Sequence, residues 1–195
     1  MRIEQVNLYK FEDLSEDSKS NAIDKWREDN SSVILGESEL LDSLKTLFIY
    51  AFIELVDHSL GLERSYLETD LSEDVSNLSS ARALGWLENN LFCNLRISRS
   101  EYLKNRKSYL KYGSDYRIGK IKPSALTGYS SDESFLEDLT ESIQNGRTLG
   151  DAFNKLANKF ESLLKADYKE QNSEEYIAEH ISMNEYEFTE DGKWY

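Results

Sequence analysis

A single proline, Pro123, stands in a chain of 195 residues. Proline removes a backbone donor and breaks helix interiors, so its scarcity leaves long helices free to form wherever apolar spacing favours them. That spacing is present. Between Glu37 and His58, Leu40, Leu41, Leu44, Leu47, Phe48, Ala51, Phe52, Leu55 and Val56 recur at i, i+3 and i+4, which predicts one long, largely buried central helix. Phe153, Leu156, Ala157, Phe160, Leu163 and Leu164 behind Thr148 predict a second seam, and Phe135, Leu136, Leu139 and Ile143 behind Ser131 a third, closed by Asn145-Gly146. Shorter helices are expected behind Ser15, behind Ser79 or Ser80, behind Ser173, and over residues 100–112 before Gly113. In each serine-led case the hydroxyl stands where it can accept from the orphan N–H groups of a first turn.

The two ends of the chain change period. Val6, Leu8 and Tyr9 sit among polar residues and predict a half-buried strand within Ile3–Phe11. At the other end Tyr186 and Phe188 alternate, Asp191-Gly192 supplies a turn, and Lys193-Trp194-Tyr195 follows, which is a hairpin pattern. A two-stranded hairpin alone is marginal in water, so it is expected to pair with the N-terminal strand. Arg64–Leu71 and residues 116–121 read as further strands. The expected fold class is α+β: a predominantly helical single domain over residues 1–195, with a small antiparallel sheet formed near the two termini.

Charge is unevenly distributed. The net is −14, made of −11 over residues 1–95, +7 over 96–122 and −10 over 123–195. A body this acidic repels phosphate backbones and attracts basic clefts. Two helices space carboxylates along one face: Glu133, Glu137, Asp138 and Glu141 on one, Glu174, Glu175 and Glu179 on the other. These are the candidate partner-binding residues. The basic stretch interleaves Arg99, Lys104, Arg106, Lys107, Lys111 and Arg117 with tyrosines, a mixture able to contact nucleic acid or an acidic partner. Neutralisation by the protein's own acidic helices, or by those of a second copy in a homo-oligomer, is the simpler expectation for it.

The search for reaction chemistry is negative. The nine glycines form neither G-x-G-x-x-G nor a Walker loop, and no G-x-S-x-G elbow is present. The two histidines, His58 and His180, belong to no metal-ligand pair, because Ile177 stands where a di-iron motif would need Glu. Asp57-His58 reads as a dipole-favoured helix end. The one cysteine, Cys93, follows Phe92 on an apolar face and reads as a packed thiol. No cofactor, no metal and no enzyme activity are expected. Met1–Lys10 lacks the apolar core of a signal peptide, and Leu44–Val56 is too short and too charged to span a bilayer, so a cytoplasmic location is expected.

Three segments carry a resemblance. Leu8-Tyr9-Lys10-Phe11-Glu12-Asp13-Leu14-Ser15 with the helix after it, Leu126-Thr127-Gly128-Tyr129, and the closing run from Glu175-Tyr176-Ile177 to Asp191-Gly192 resemble a group of phage and prophage proteins. That group opens on a Tyr-x-Phe-x-x-Leu-Ser pattern and closes on Glu-Tyr-Glu-Phe-Thr-Glu-Asp-Gly, and some members carry antitoxin-like labels. The resemblance implies an accessory protein made in a bacterial host cell and transfers no catalytic or ligand residue. With the acidic surface, it leads to the expectation of a protein that binds and modulates a host protein, including a defence factor, by nucleic-acid mimicry. The alternative is an antitoxin-like module that binds nucleic acid or a toxin through residues 96–122.

Overall fold

A computed structural model describes residues 6–30, 36–95 and 125–195. The helix expected over residues 100–112 and the strand over 116–121 lie outside the described residues. The fold is predominantly helical with two small antiparallel two-stranded sheets, one of them near the chain ends. Internal contacts divide it into two compact units, Met1–Leu35 with Ala166–Tyr195, and Gly36–Lys165.

The first unit is built on the chain ends. Strand β1 (Tyr9–Lys10) is followed by a 3-10 turn (Phe11–Asp13) and helix α1 (Glu16–Asn30). Ser15 caps α1, accepting from the Ser18 N–H at 3.2 Å. Helix α8 (Glu174–Met183) is capped by Ser173, which accepts from the Tyr176 N–H, and strand β4 (Glu187–Phe188) follows. β1 and β4 run antiparallel with Tyr9 opposite Phe188 and Lys10 opposite Glu187. The chain then turns so that Trp194 bridges back to Phe188. One apolar cluster lies beneath: Phe11, Leu14, Ile23, Trp26, Ile177 and Phe188 are all buried there.

Gly192 fixes the final turn. Its φ of +81 is left-handed, and a Cβ at this position would stand 2.2 Å from the Ser18 carbonyl oxygen. Ser18 also donates its hydroxyl to the Glu190 carbonyl at 2.7 Å, so the turn lies against α1 backbone to backbone.

The second unit contains α2 (Glu37–Tyr50), a hairpin of β2 (Leu55–Ser59) and β3 (Tyr66–Thr69), and the short helix α3 (Glu73–Ser76). Helix α4 (Ser80–Leu87) then runs through a π turn (Glu88–Phe92) into α5 (Cys93–Leu95). Helices α6 (Ser131–Gln144) and α7 (Leu149–Gln171) complete it, the last turn of α7 being counted with the first unit. Phe48 and Phe153 meet at 5.5 Å between ring centroids, with Trp86 edge-on to Phe153 at 6.2 Å.

The expected helix from Glu37 to His58 is corrected here: it stops at Tyr50, and Leu55–Ser59 is a strand. The stop is a Schellman closure. The Phe52 N–H donates to the Ile49 carbonyl and the Ile53 N–H to the Phe48 carbonyl, with Phe52 left-handed at φ 54. Helix α6 closes in the same way on Gly146 and α8 on Glu185. A non-glycine residue at this position costs about 1–2 kcal/mol. Burial of Ile53 against Phe48, both nearly inaccessible, contributes about 2 kcal/mol and offsets it.

Cys93 is also corrected. It is exposed, with its Sγ donating to the Asn89 carbonyl at 2.9 Å. The π turn immediately before it winds more residues into a turn than an α-helix does, so the apolar phase is displaced and the thiol faces solvent.

Gly192→Ala combines a left-handed penalty with backbone overlap and is expected to destabilise the first unit by roughly 2–4 kcal/mol, read as a lowered urea midpoint by tryptophan fluorescence. The same turn responds to acid. The Lys193 ammonium first, then the Thr189 hydroxyl, hold the Asp191 carboxyl down to about 2 from 3.8. Because the folded value is depressed, this contribution is complete above pH 4 or so and lost as pH falls toward 2. An NMR titration should show the Gly192 amide moving with a midpoint near 2, and Lys193→Met should raise that midpoint.

Candidate interaction surfaces

The two predicted acidic faces differ in what surrounds them. On α6, Glu133, Glu137 and Glu141 are spaced i, i+4 along one side, Glu137 and Glu141 exposed and Glu133 half-buried. Asp138 points elsewhere: it accepts from Lys155 Nζ at 2.9 Å, and the same ammonium donates to Ser142 Oγ at 3.2 Å. That pairing removes Asp138 from the outward set. On α8, Glu174, Glu175 and Glu179 are exposed, and Glu174 lies 3.9 Å from Arg27. Among the described residues no cation pairs with Glu137, Glu141, Glu175 or Glu179.

Helix α1 is as acidic in sequence but largely compensates itself. Lys19 meets Glu16 at 3.0 Å, Lys25 meets Glu28 at 3.2 Å and Asp29 at 3.1 Å, and Arg27 meets Asp24 at 3.0 Å. Such exposed pairs stabilise little, yet they cancel much of the local field. The six basic candidates, Arg99, Lys104, Arg106, Lys107, Lys111 and Arg117, lie outside the described residues.

Sequence periodicity did not anticipate an apolar surface at the end of α2. Ile49, Phe52 and Val56 are 70%, 81% and 61% exposed. Ile49 and Phe52 border a groove of about 580 Å³ whose floor includes Phe48, Ile53 and Leu55 and whose rim carries Lys45, Glu54 and Asp70. The hairpin beside it is acidic: Asp57 stands directly opposite Glu68, a cross-strand like-charge pair that costs stability. Tyr66 donates its hydroxyl to Asp57 at 2.9 Å, a bond that raises the phenol above its ordinary range. Each strand pairs on one side only, so among the described residues no strand lies along either outer edge.

Asp132 is a second feature that spacing did not reveal. It is fully buried, and one carboxylate oxygen accepts from the N–H groups of Leu126, Thr127 and Gly128 at 2.9, 2.8 and 3.2 Å. The other accepts from the Thr127 hydroxyl at 2.8 Å. Ser43 of α2 joins through Thr127 at 3.1 Å and Ser131 at 2.7 Å. Both oxygens of Asp132 are engaged by the turn it anchors, so the group is a structural fastener.

The two histidines lie on different elements. His58 is on an exposed strand, and the sequence reading of Asp57-His58 as a helix end is corrected: Asp57 accepts from the His58 backbone N–H at 2.8 Å. His180 lies within an aromatic group, 5.7 Å from Trp26, 6.2 Å from Tyr176 and 6.3 Å from Tyr186 between centroids. Among the described residues no group of three or more His, Cys, Asp or Glu side chains is arranged to hold a metal ion. No helix among them is long and apolar enough to cross a membrane. No family model, no curated protein and no solved structure matches the chain.

Asp132→Ala strands three buried backbone donors and is expected to cost roughly 3–5 kcal/mol. Asp132→Asn keeps one acceptor oxygen and should cost about half as much. Thermal melts of the two variants beside the parent check both the sign and the order.

Proposed function

We propose that this chain is a phage- or prophage-encoded acidic accessory protein, made in the bacterial cytoplasm. It acts without catalysis, by binding a host protein and inhibiting or modulating it. The observation that carries this reading is that, among the described residues, no cation pairs with the solvent-facing carboxylates Glu137 and Glu141 on α6 and Glu175 and Glu179 on α8. Carboxylates four residues apart repeat about every 6 Å along a helix, a row of negative charge suited to a basic groove such as one that holds DNA or RNA. A host defence factor or nucleic-acid-handling protein is the partner class with that groove. The resemblance of the chain ends and of Leu126–Tyr129 to phage proteins supports the setting.

Electrostatic recognition of this kind is sensitive to salt and to charge reversal. Capture from host lysate should recover a basic partner at low salt and lose it as salt rises. Glu137→Lys with Glu141→Lys, and separately Glu175→Lys with Glu179→Lys, should weaken capture about ten-fold or more while leaving the melting temperature close to the parent's. Recovery of no partner, or of one indifferent to salt and to both double variants, would overturn the reading.

The net charge of +7 over residues 96–122 favours a second reading, an antitoxin-like module that binds nucleic acid or a toxin through that stretch. It calls for a low-salt gel shift with RNA and DNA that disappears when Lys104, Arg106 and Lys107 are changed to Ala.

A further inference from the structure

Phe52 sets an exposed aromatic ring at the left-handed position of a Schellman closure, where α8 carries the polar Glu185. Glycine is the residue that fits a Schellman closure without strain, and α6 uses Gly146 there. At the equivalent place after α2 the chain carries a phenylalanine at φ 54, with 81% of its surface in water. The ring therefore bears a backbone penalty and gains little burial in return. Strained, outward-facing residues of this kind cluster at ligand clamps and binding sites. Ile49 extends the apolar surface, and the groove that it lines with Phe52, about 580 Å³, is large enough for one or two large side chains.

The charges around the groove select what can enter. Glu54 and Asp70 stand on its rim, and Asp57 and Glu68 oppose each other on the neighbouring hairpin; among the described residues Lys45 is the one cation on the rim. A second copy presenting the same face would bring acid against acid, as would an anionic lipid surface. A cationic segment would instead relieve the Asp57–Glu68 repulsion. We propose that the Phe52 groove docks a segment of another protein in which a large apolar side chain is flanked by lysine or arginine. The apolar side chain seats between Phe52 and the floor formed by Phe48 and Ile53, and the flanking cations meet Glu54, Asp57, Glu68 and Asp70. This site is separate from the carboxylate rows of α6 and α8 and stands or falls independently of them.

The test uses the full chain and an array of labelled peptides in which the central residue is Leu, Ile, Phe, Trp or Met and the flanks are Lys/Arg, Ser or Glu. Binding is read by fluorescence anisotropy. The expected result is selection of apolar centres with basic flanks, and at least a ten-fold loss of affinity in Phe52→Gly. Glycine relieves the left-handed strain, so that variant should melt about 2–4 °C higher, and lost binding cannot then be ascribed to unfolding. Glu54→Gln with Asp70→Asn should erase the preference for basic flanks while sparing that for an apolar centre. Glu137→Lys with Glu141→Lys should leave peptide affinity unchanged, which separates this site from the acidic helix faces.

The proposal is overturned if no peptide in the array binds, if Glu-flanked peptides bind equally, or if Phe52→Gly binds like the parent. It is equally overturned if vesicles containing phosphatidylserine bind better than the peptides. A dimer in light scattering that Phe52→Gly dissolves would make the occupant a second copy. Peptide binding that appears only once Lys104, Arg106 and Lys107 are changed to Ser would make it the chain's own basic stretch.

Discussion

The point at which helix α2 stops governs the second unit. Had the apolar repeat continued to His58, Leu55 and Val56 would have extended the helical stripe and Tyr66–Thr69 would have had no partner strand. The left-handed turn at Phe52 instead redirects the chain, so that Glu54 pairs with Asp70 at the mouth of a hairpin. The Glu54 N–H donates to Asp70 Oδ1 at 2.9 Å and the Asp70 N–H to the Glu54 carbonyl at 3.1 Å. One residue in a disfavoured conformation thus creates a strand pair, leaves an aromatic ring in solvent and opens the groove beside it. The energetic balance is narrow: the cost of the turn and the gain from burying Ile53 are of similar size.

Electrostatics in this protein is a matter of which carboxylates find partners. Asp132 is neutralised in effect by backbone dipoles, Asp138 by Lys155, and the acids of α1 by cations on the same helix. With these set aside, the exposed carboxylates that no cation meets among the described residues include those on particular turns of α6 and α8 and on the β2–β3 hairpin. Bulk acidity would keep any protein in solution. A few uncompensated rows, and a like-charge pair retained across two strands, describe surfaces that gain when something cationic arrives.

Much of the fold was legible in the sequence because the responsible signals are local. Ser15 and Ser173 cap the helices they precede, and Thr148 accepts from the Asp151 N–H at 3.2 Å at the start of α7. The pairing of the two chain ends followed from a hairpin too small to stand alone. What failed to read through was the end of α2, since no glycine marks it and the i, i+4 pattern runs on past it. That one omission concealed β2, misplaced His58 and hid the groove. Cys93 escaped for a related reason, because an inserted π turn changes the phase of a helix without changing its composition. The acidic candidates were legible as a set, whereas the diversion of Asp138 inward and the burial of Asp132 depend on contacts with residues distant in the fold or on a turn that composition does not specify.

The sheet at the chain ends has a consequence for how the protein is made. Tyr9 and Lys10 leave the ribosome early, but Phe188 and Glu187, the residues they pair with, are added nearly a whole chain later. The segment between them contains the second compact unit, Gly36–Lys165. Domains fold as they emerge, and contacts between distant residues form late. Phe11 and Trp26 therefore stay without the Ile177 and Phe188 side chains that bury them while the intervening unit assembles, and this apolar surface is open to water for that interval.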